Sequence, residues 1–370
     1  MSPQSIKFQT NFYISNPMRE QTMENENQKF DEIPVKVPKI HTQAGNDIAQ
    51  LNKTPGTDYE GPETKVVISA HRALWEKIPE KLFKFYCISE SSFKSLKNQN
   101  LWMSKPSLFN DPFDKGPYYD EKVVHAYLEK IKKDKRSIWD KLKTFLKITD
   151  DTPSNTQLIG IINEVIAKWT KISCFSSVVN EPLLWSHYAE GHTGFALAFP
   201  TEKIKQLMAQ RIVKYEKLQQ PYLDLLPVSY TYHNRKRFDA TGCIMEFLAN
   251  YVEQRETIHY KDVLKLASCF LYKSFSWHYE QEWRLIYYTN NEKWTESNGV
   301  PLSWKPFLIP TEIFLGCNMK PSVKDQIDDI IREINIDRAK KGDNTPILEK
   351  IVLSLDNVHS TGTYSLKYKK

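Results

Sequence analysis

The apolar and polar residues of this chain fall into short blocks that predict an alternation of strands and helices. Short apolar runs, many of them rich in aromatic and β-branched residues, predict strands at 81–88, 101–106, 172–177, 194–200, 212–216, 227–232, 312–317 and 347–354. Apolar residues at helical spacing predict helices at 64–78, 89–99, 119–149, 156–171, 183–191, 322–334 and over most of 240–275. A further strand is entered through Glu280-Gln281-Glu282. Because these elements are unevenly spaced, the pattern favours an α+β fold over a doubly wound parallel sheet.

Several residues mark where the predicted elements begin and end. Ser89 is suited to the N-cap of the helix that follows it, and Gly191 is suited to end a short helix. Residues 107–120 predict a loop, because Asn110-Asp111-Pro112 and Lys115-Gly116-Pro117 both resist regular structure.

The start of the chain differs from the rest in composition. Up to about residue 60 it has no Trp or Cys and a single Leu, Leu51. Such a segment buries too little apolar surface to offset the entropy of ordering. We therefore expect a disordered or loosely packed tail over 1–62 and one α+β domain over 63–370, with helical insertions near 119–171 and 235–275.

Composition narrows the class of protein only slightly. A hydrophobic fraction of 40% is ample for a packed core, and nine Trp with nineteen Tyr provide many flat rings for holding a ligand. The formal net charge of +6 mildly favours acidic partners such as phosphates or nucleic acid.

The five cysteines predict neither a disulfide framework nor a zinc site. They are widely scattered and form no C-x-x-C pair: Cys87, Cys174, Cys243, Cys269 and Cys317. The N-terminus lacks the pattern of a secretory signal, and no run reaches the roughly eighteen apolar residues that span a bilayer. We therefore expect a cytoplasmic protein, although export as an effector leaves no readable trace.

The helical stretch 119–149 is strongly basic. Its apolar residues recur at helical spacing, so the charges line the outer face: Val124, Tyr127, Ile131, Ile138, Leu142 and Phe145. Such a face is typical of a solvated surface, and nucleic-acid contact through 121–149 is the alternative interpretation.

The common phosphate-binding and hydrolase motifs are missing. The sequence contains no G-x-x-x-x-G-K-[ST], no G-x-G-x-x-G, no H-E-x-x-H and no G-x-S-x-G. Ordinary nucleotide hydrolysis and serine hydrolysis are therefore disfavoured.

Five segments, in this order, carry a family resemblance. They are LFKFY, LWMSKPSLFNDPFD, ISCFSS, LWSHYAEGHTGFALAF and YEQEWRLIYY, and they span about residues 81–320. The chain resembles a large, poorly characterised bacterial and phage family with the pattern L-Y-K-Y, W-F-S-x-P with N-D-P-F-D, C-F-S, W-x-H-Y-A-x-x-H-x-G and Y-E-x-E-W-R-L. Membership by itself says little about activity.

That family pattern in turn resembles the ADP-ribosyltransferase superfamily. The resemblance implies a split mixed sheet, NAD as substrate, and transfer of ADP-ribose to a protein or nucleic acid, or NAD hydrolysis, by an effector, toxin or antiphage defence protein. It places Cys174-Phe175-Ser176-Ser177 at the Ser-Thr-Ser element and Glu280-Gln281-Glu282 at the Glu-x-Glu element.

The resemblance also implies roles for individual residues. Glu282 would stabilise the oxocarbenium-like transition state, and Glu280 would orient or deprotonate the acceptor. Ser176 would hydrogen-bond Glu282. The residues implied in NAD binding are Lys84, Tyr86, Ser177, Tyr188 and His192.

One position departs from the family pattern. The family often has Arg where this chain has Tyr86. If that Arg contacts a phosphate of NAD, Lys84 or another basic residue must do so here, or the site is impaired.

Structural interpretations stand beside the catalytic ones. Glu280 and Glu282 are also interpretable as edge-strand charges that block aggregation, with Glu282 paired to a lysine. Asn110-Asp111-Pro112 is typical of an Asx turn, and Arg284 is placed to pair with Asp111 or Asp114.

The remaining conspicuous side chains also have structural interpretations. His187 and His192 flank the end of a helix, where a histidine is stabilising. Trp185 and Tyr188, three residues apart, are typical of core positions.

Two other functions remain open. A metal-dependent nuclease or phosphoesterase would use Asp111, Asp114, Glu282 and a histidine, although no second acidic cluster is obvious. A binding module without catalysis would use the basic stretch 121–149 on nucleic acid or a membrane.

Overall fold

The computed structural model of the protein describes residues 74–117, 119–149, 154–213, 222–231, 240–253, 266–267, 269–289, 297–340, 348–357 and 364–369. All of them belong to one compact unit that spans residues 37–370. The expected tail over 1–62 and most of the expected helix over 64–78 lie outside these ranges.

Twelve strands and eight α-helices run through the described ranges. The strands are β1 (Lys81–Tyr86), β2 (Asn100–Ser104), β3 (Thr170–Ser176), β4 (Phe195–Pro200), β5 (Tyr222–Pro227), β6 (Ser229–Thr231), β7 (Tyr272–Ser274), β8 (Glu282–Tyr288), β9 (Gly299–Ser303), β10 (Glu312–Leu315), β11 (Glu349–Asn357) and β12 (Tyr364–Lys369). The helices are α1 (Glu90–Lys97), α2 (Glu121–Asp134), α3 (Arg136–Leu146), α4 (Asn155–Trp169), α5 (Pro182–Tyr188), α6 (Glu202–Val213), α7 (Thr241–Glu253) and α8 (Pro321–Lys340).

The fold is a mixed α/β structure around one large mixed sheet. Ten strands join in it, with the order β12-β11-β10-β4-β1-β3-β2-β9, while β8 pairs with β3 and with β5. Strands β10 and β11 are parallel, and the other described pairs of this sheet are antiparallel. Strands β6 and β7 form a separate parallel pair.

Strand β3 is the point at which the sheet divides. On one side, all seven residues of β3 pair with β8, from Thr170 opposite Tyr288 to Ser176 opposite Glu282. On the other side, Ser176 faces Phe83 of β1, whereas Ile172 faces Ser104 of β2. Strands β1 and β2 therefore pair with the same side of β3 at different points along it, and they diverge from each other there.

The helices form where the sequence provides caps and an apolar face. The Ser89 side chain accepts the amide of Ser92 at the start of α1, as predicted. In α2 and α3 the apolar positions predicted at helical spacing are buried or half-buried, while most of the basic side chains are exposed. The predicted single stretch is divided in two at Lys135, whose backbone leaves helical geometry.

Two sequence predictions of secondary structure are wrong in the described ranges. Residues 212–213 end helix α6 instead of opening a strand, because Ile204, Leu207 and Met208 continue a helical face, and 214–216 lie outside the described ranges. Residues 272–274 form strand β7 instead of continuing a helix, because they pair with β6. Strands β9 and β12 were not predicted, nor was β5 apart from its last residue, Pro227.

None of the helices in the described ranges combines the length and the apolar character that crossing a bilayer demands.

Candidate functional site

A cavity of about 210 Å³ lies where β1 and β2 separate along β3. Its walls come from β1, the loop after β2, β3, α5 and the segment that leads into β8. Aromatic and aliphatic side chains form most of the wall: Phe83, Phe85, Leu108, Phe109, Phe175, Leu184, Tyr188 and Trp277. Apolar walls with a few converging polar groups are typical of small-molecule sites.

Glu280 and Glu282 meet at one wall of this cavity because the chain turns sharply between them. Glu280 is the last residue of a 3₁₀ helix (Phe275–Glu280), and Glu282 is the first residue of β8. Gln281 between them has a left-handed φ of 43°. Ser177 holds this turn, since its hydroxyl and amide donate to the side-chain and main-chain oxygens of Gln281 at 3.0 and 3.2 Å.

Lys273 joins the two carboxylates. Its Nζ lies 2.5 Å from Oε2 of Glu280 and 3.1 Å from Oε2 of Glu282. It also lies 3.9 Å from Oδ2 of Asp114 and 5.0 Å from the ring centre of Trp277. One ammonium group therefore bridges three acids at the base of the cavity.

Arg284 adds a second cation on the same side of β8 as Glu282. Its Nε donates to Oε1 of Glu282 at 2.8 Å, and its guanidinium forms a bidentate ion pair with Asp114. The predicted pairing of Arg284 with an acid of the N-D-P-F-D loop is confirmed, and the partner is Asp114. The predicted Asx turn is also confirmed, since Oδ1 of Asp111 accepts the amide of Phe113 at 2.8 Å.

The two glutamates are held in different charge states. Burial on its own raises the pKa of Glu282, but Arg284 and Lys273 hold that pKa well below its ordinary value. Burial and the neighbouring charge of Glu282 raise the pKa of Glu280 to about 7, against the opposing effects of Lys273 and Tyr188. Near neutral pH, Glu282 is therefore ionised, whereas Glu280 is present in both its protonated and its ionised form.

Tyr188 completes the surroundings of Glu280. Its hydroxyl donates to Oε1 of Glu280 at 2.5 Å. Burial and the charge of Glu280 raise the pKa of Tyr188 above its ordinary value, so the phenol stays protonated. The 0% exposed Trp185, three residues earlier, lies in the core as predicted, whereas Tyr188 faces the cavity.

Lys84 and Cys174 also line the cavity, and burial favours the neutral form of each. The half-buried Lys84 lies between Phe83 and Phe85 on β1, and burial lowers its pKa. Cys174 also lines the cavity, and burial together with the charge of Glu282 raises the pKa of its thiol. Cys174 is therefore a protonated thiol rather than a thiolate.

The structure brings five of the eight predicted site residues to the cavity. Glu280, Glu282, Ser176, Lys84 and Tyr188 line it. The expected bond from Ser176 to the Glu282 carboxylate is wrong, because the Ser176 hydroxyl donates instead to the main-chain carbonyl of Glu280 at 2.6 Å. Ser176 therefore fixes the backbone that carries the acids.

Three predicted residues lie outside the cavity lining. The Tyr86 ring is buried and stacks on Phe195 with ring centres 5.0 Å apart. Ser177 supports the Gln281 turn, and His192 stacks against Trp185 with its Nε2 3.3 Å from the Ser186 hydroxyl.

The edge-strand interpretation of Glu280 and Glu282 is wrong. Both residues are only 3% exposed, and β8 is covered on both edges by β3 and β5. The expected lysine partner of Glu282 is Lys273, which the sequence analysis did not single out. Its only sequence signal is a lysine within the apolar stretch LASCFLYKSF, a pattern too common to identify a site.

The acids of the alternative metal site are occupied by cations of the protein itself. Asp114 and Glu282 share Arg284, and Glu282 also meets Lys273. No group of three or more His, Cys, Asp or Glu side chains within the described ranges is arranged to hold a metal ion. These arrangements do not favour a metal-dependent nuclease.

Comparison with known protein families gives a match to part of the chain. Residues 184–285 match the sequence profile of a family described as "Protein of unknown function (DUF2971)". The matched segment contains the W-x-H-Y motif and the whole Y-E-x-E-W-R-L motif, and it is consistent with the expected relation to a poorly characterised family. No curated protein and no solved structure matches the chain.

Proposed function

We propose that this cavity cleaves the bond between nicotinamide and ribose in NAD and passes the ADP-ribosyl group to a protein, a nucleic acid or water. One observation carries the proposal: two carboxylates meet at one cavity wall, with Glu282 ionised and Glu280 exchanging a proton near neutrality. Paired acids whose pKa values are separated are typical of glycosidic chemistry.

Glu282 is the group suited to stabilise the transition state. Positive charge develops on the ribose ring as the glycosidic bond breaks, and a fixed carboxylate in a buried site stabilises that charge. Arg284 and Lys273 both donate to the carboxylate oxygens of Glu282. They therefore keep Glu282 ionised and hold its carboxylate in one position. The acid therefore needs little reorganisation when the bond breaks.

Glu280 is the group suited to take a proton from the acceptor. Nicotinamide leaves as a neutral molecule and needs no proton, whereas an attacking hydroxyl, amine or water must lose one. A base whose pKa is about 7 is well matched to that transfer at neutral pH. Tyr188 and Lys273 orient the carboxylate by donating to its two oxygens.

The cavity walls suit a flat ring that carries positive charge. The rings of Phe85, Phe109 and Trp277 line the same space as the two glutamates. Aromatic faces attract cations, and the pyridinium of NAD is both flat and cationic. The cavity measures about 210 Å³. It accommodates the nicotinamide end of NAD, with the rest of the dinucleotide outside.

Strands β1 and β2 separate along β3, which is compatible with the split mixed sheet implied by the resemblance to ADP-ribosyltransferases. In this proposal Ser176 fixes the main chain of the Glu280-Gln281-Glu282 turn. Lys84 lines the cavity and is, as the resemblance implies, one of the residues that contact NAD. Tyr86 plays no direct part, because its ring is packed against Phe195. A role in conflict between cells, or between cell and phage, is part of the same proposal.

The test is release of nicotinamide from NAD, together with transfer of label from adenine-labelled NAD to a cell lysate. Glu282→Gln removes the charge and keeps the shape, so we expect the rate to fall roughly 100-fold or more while NAD still binds. Glu129→Gln, an exposed acid of α2, is the matched control and should cleave NAD at the wild-type rate.

Two outcomes would contradict the proposal. In the first, the wild-type protein neither binds NAD by calorimetry nor releases nicotinamide. In the second, the Glu282→Gln protein cleaves NAD as fast as wild type. Thermal unfolding of each variant shows whether a lost rate reflects a lost fold.

A further inference from the structure

Lys84 lies mainly among aromatic rings, although the charge of Glu282 also acts on it. Its Nζ lies 5.7 Å from the ring centre of Tyr86 and 5.6 Å from that of Phe175. Its hydrogen bond to the carbonyl of Cys174 is long, at 3.4 Å. Within the part of the chain that the structure describes, no carboxylate forms an ion pair with it. The amine therefore faces the cavity without a fixed counter-ion.

Lys273, in the same cavity, is the opposite case. It meets Glu280, Glu282 and Asp114, which hold its charge in place. Burial alone would lower the pKa of Lys273, but the two glutamates raise it above its ordinary value. At Lys84 burial dominates and lowers the pKa. One cavity thus holds a lysine whose charge its neighbours stabilise and a lysine whose charge burial disfavours.

We propose that Lys84 is a nucleophilic amine that forms an imine with an aldehyde or ketone bound in the cavity. A free amine near an acid is the arrangement that imine formation requires. The acid available in the same cavity is Glu280, whose pKa of about 7 leaves part of it protonated near neutral pH.

The steps balance without an oxidant or a reductant. The Lys84 nitrogen forms a bond to the carbonyl carbon, the C–O π bond breaks, and the oxygen takes a proton from the Glu280 carboxyl. The nitrogen gives one proton back to the Glu280 carboxylate. The new hydroxyl then takes that proton and leaves as water, and the carbon–nitrogen double bond forms.

The walls define the class of carbonyl compound. Phe83 and Phe85 flank Lys84, and Phe109 and Phe175 also line the cavity, so the carbonyl group should carry an apolar or aromatic substituent. The volume of about 210 Å³ limits that substituent to roughly one ring. An aromatic aldehyde fits both requirements.

This inference does not depend on the proposed cleavage of NAD. It uses Lys84 as a nucleophile and the proposed cleavage uses Glu282 as a fixed charge, while Glu280 takes part in both. Each has its own variant, so the failure of one leaves the other standing.

The experiment is reductive trapping of the folded protein with benzaldehyde and sodium cyanoborohydride at pH 7, followed by peptide mapping. We expect a benzyl adduct on Lys84 to form several times faster than on the exposed Lys94 and Lys203, because the lowered pKa of Lys84 raises its free-amine fraction at pH 7. Lys273 should stay unmodified. Glu280→Gln should slow the adduct at Lys84 without slowing those at Lys94 and Lys203.

The controls separate reactivity from folding. Lys84→Met should lose this fast adduct, and Lys81→Met, on the same strand and exposed, should keep it. Equal rates at Lys84, Lys94 and Lys203 in wild type, or no adduct at Lys84, would overturn the inference. NAD cleavage is measured on the same samples. Cleavage without a fast Lys84 adduct defeats this inference alone, and a fast adduct without cleavage defeats only the proposed function.

Discussion

At the scale of single residues, the charge states of Glu280 and Glu282 follow from how the cations are shared. Glu282 has Arg284 and Lys273 as donors, whereas Glu280 has Lys273 and the neutral phenol of Tyr188. Two carboxylates this close cannot both ionise freely, so the one with fewer cations keeps its proton to higher pH.

The pH dependence of NAD cleavage should report the proton on Glu280. Because the pKa of Glu280 is raised to about 7, the carboxylate form exists above pH 7 and is lost as the pH falls below it. A base is active only as the carboxylate, so we expect kcat/KM to rise through pH 7 and then level off. The charged and titratable groups around it are Tyr188, Lys273, Glu282 and Tyr279.

The matched variant for this profile is Glu280→Gln. It should lower the rate roughly 100-fold and remove the inflection near pH 7, since the amide does not titrate. A wild-type rate that falls as the pH rises through 7 would assign Glu280 as an acid instead of a base.

The sequence identified Glu280 and Glu282 but not Lys273, the lysine that bridges them. The spacing of Glu280 and Glu282 was visible, and side-chain alternation along a strand led from Arg284 to Asp111 or Asp114, of which Asp114 is the partner. Lys273 was missed because its position depends on how β7 and the following 3₁₀ helix fold back toward β8. Tyr86 packs in the core against Phe195, and His192 stacks on Trp185; both contacts depend on residues far from the Lys84 and Glu280 segments and are not readable from the motifs.

At the scale of elements, one ion pair joins the loop after β2 to strand β8. Asp114 ends a short 3₁₀ turn (Pro112–Asp114) and is buried against Arg284. The same loop provides Leu108 and Phe109 to the cavity. The pair thus sets the distance between two cavity walls that are far apart in the sequence.

Removing Asp114 should therefore cost far more stability than removing its neighbour Asp111. Asp114→Ala leaves part of the Arg284 charge buried and unpaired, which should lower the free energy of unfolding by about 3 kcal/mol or more. Asp111→Ala removes only the cap of an exposed turn and should cost about 1 kcal/mol. Urea unfolding at neutral pH measures both, and equal losses would contradict the buried ion pair.

Elements with strong periodicity or a strong cap were predicted well, and short paired strands were not. Helices α1, α4 and α8 follow from apolar spacing and caps in their own sequence. Strand β7 exists because it pairs with β6, and β9 because it pairs with β2, so neither is encoded locally. The left-handed backbone conformation of Gln281 could not be predicted either, since glutamine is not typical of that conformation.

At the scale of the whole molecule, the basic surface and the cavity belong to different parts of the chain. The exposed lysines of α2 and α3 lie on helices of which no residue lines the cavity. Nucleic-acid contact through this surface and chemistry in the cavity are therefore separable properties.

A double charge reversal on this surface should leave the chemistry intact. We expect Lys130→Glu with Lys141→Glu to cleave NAD within about twofold of the wild-type rate, because distant surface changes have small effects. Binding to duplex DNA, measured against salt, then tests the basic face by itself. If lysines of this face contact phosphates, the variant binds more weakly and with a shallower salt dependence. A large loss of NAD cleavage would contradict the separation.

The position of α2, α3 and α4 between β2 and β3 has a consequence for how such proteins can diversify. The chain leaves the sheet after β2, builds this helical layer and returns to pair with β8, while every residue that lines the cavity belongs to other segments. Natural variation or protein engineering can therefore exchange the whole layer for one with another surface, and so redirect the protein to another target, without replacing a single residue of the cavity wall.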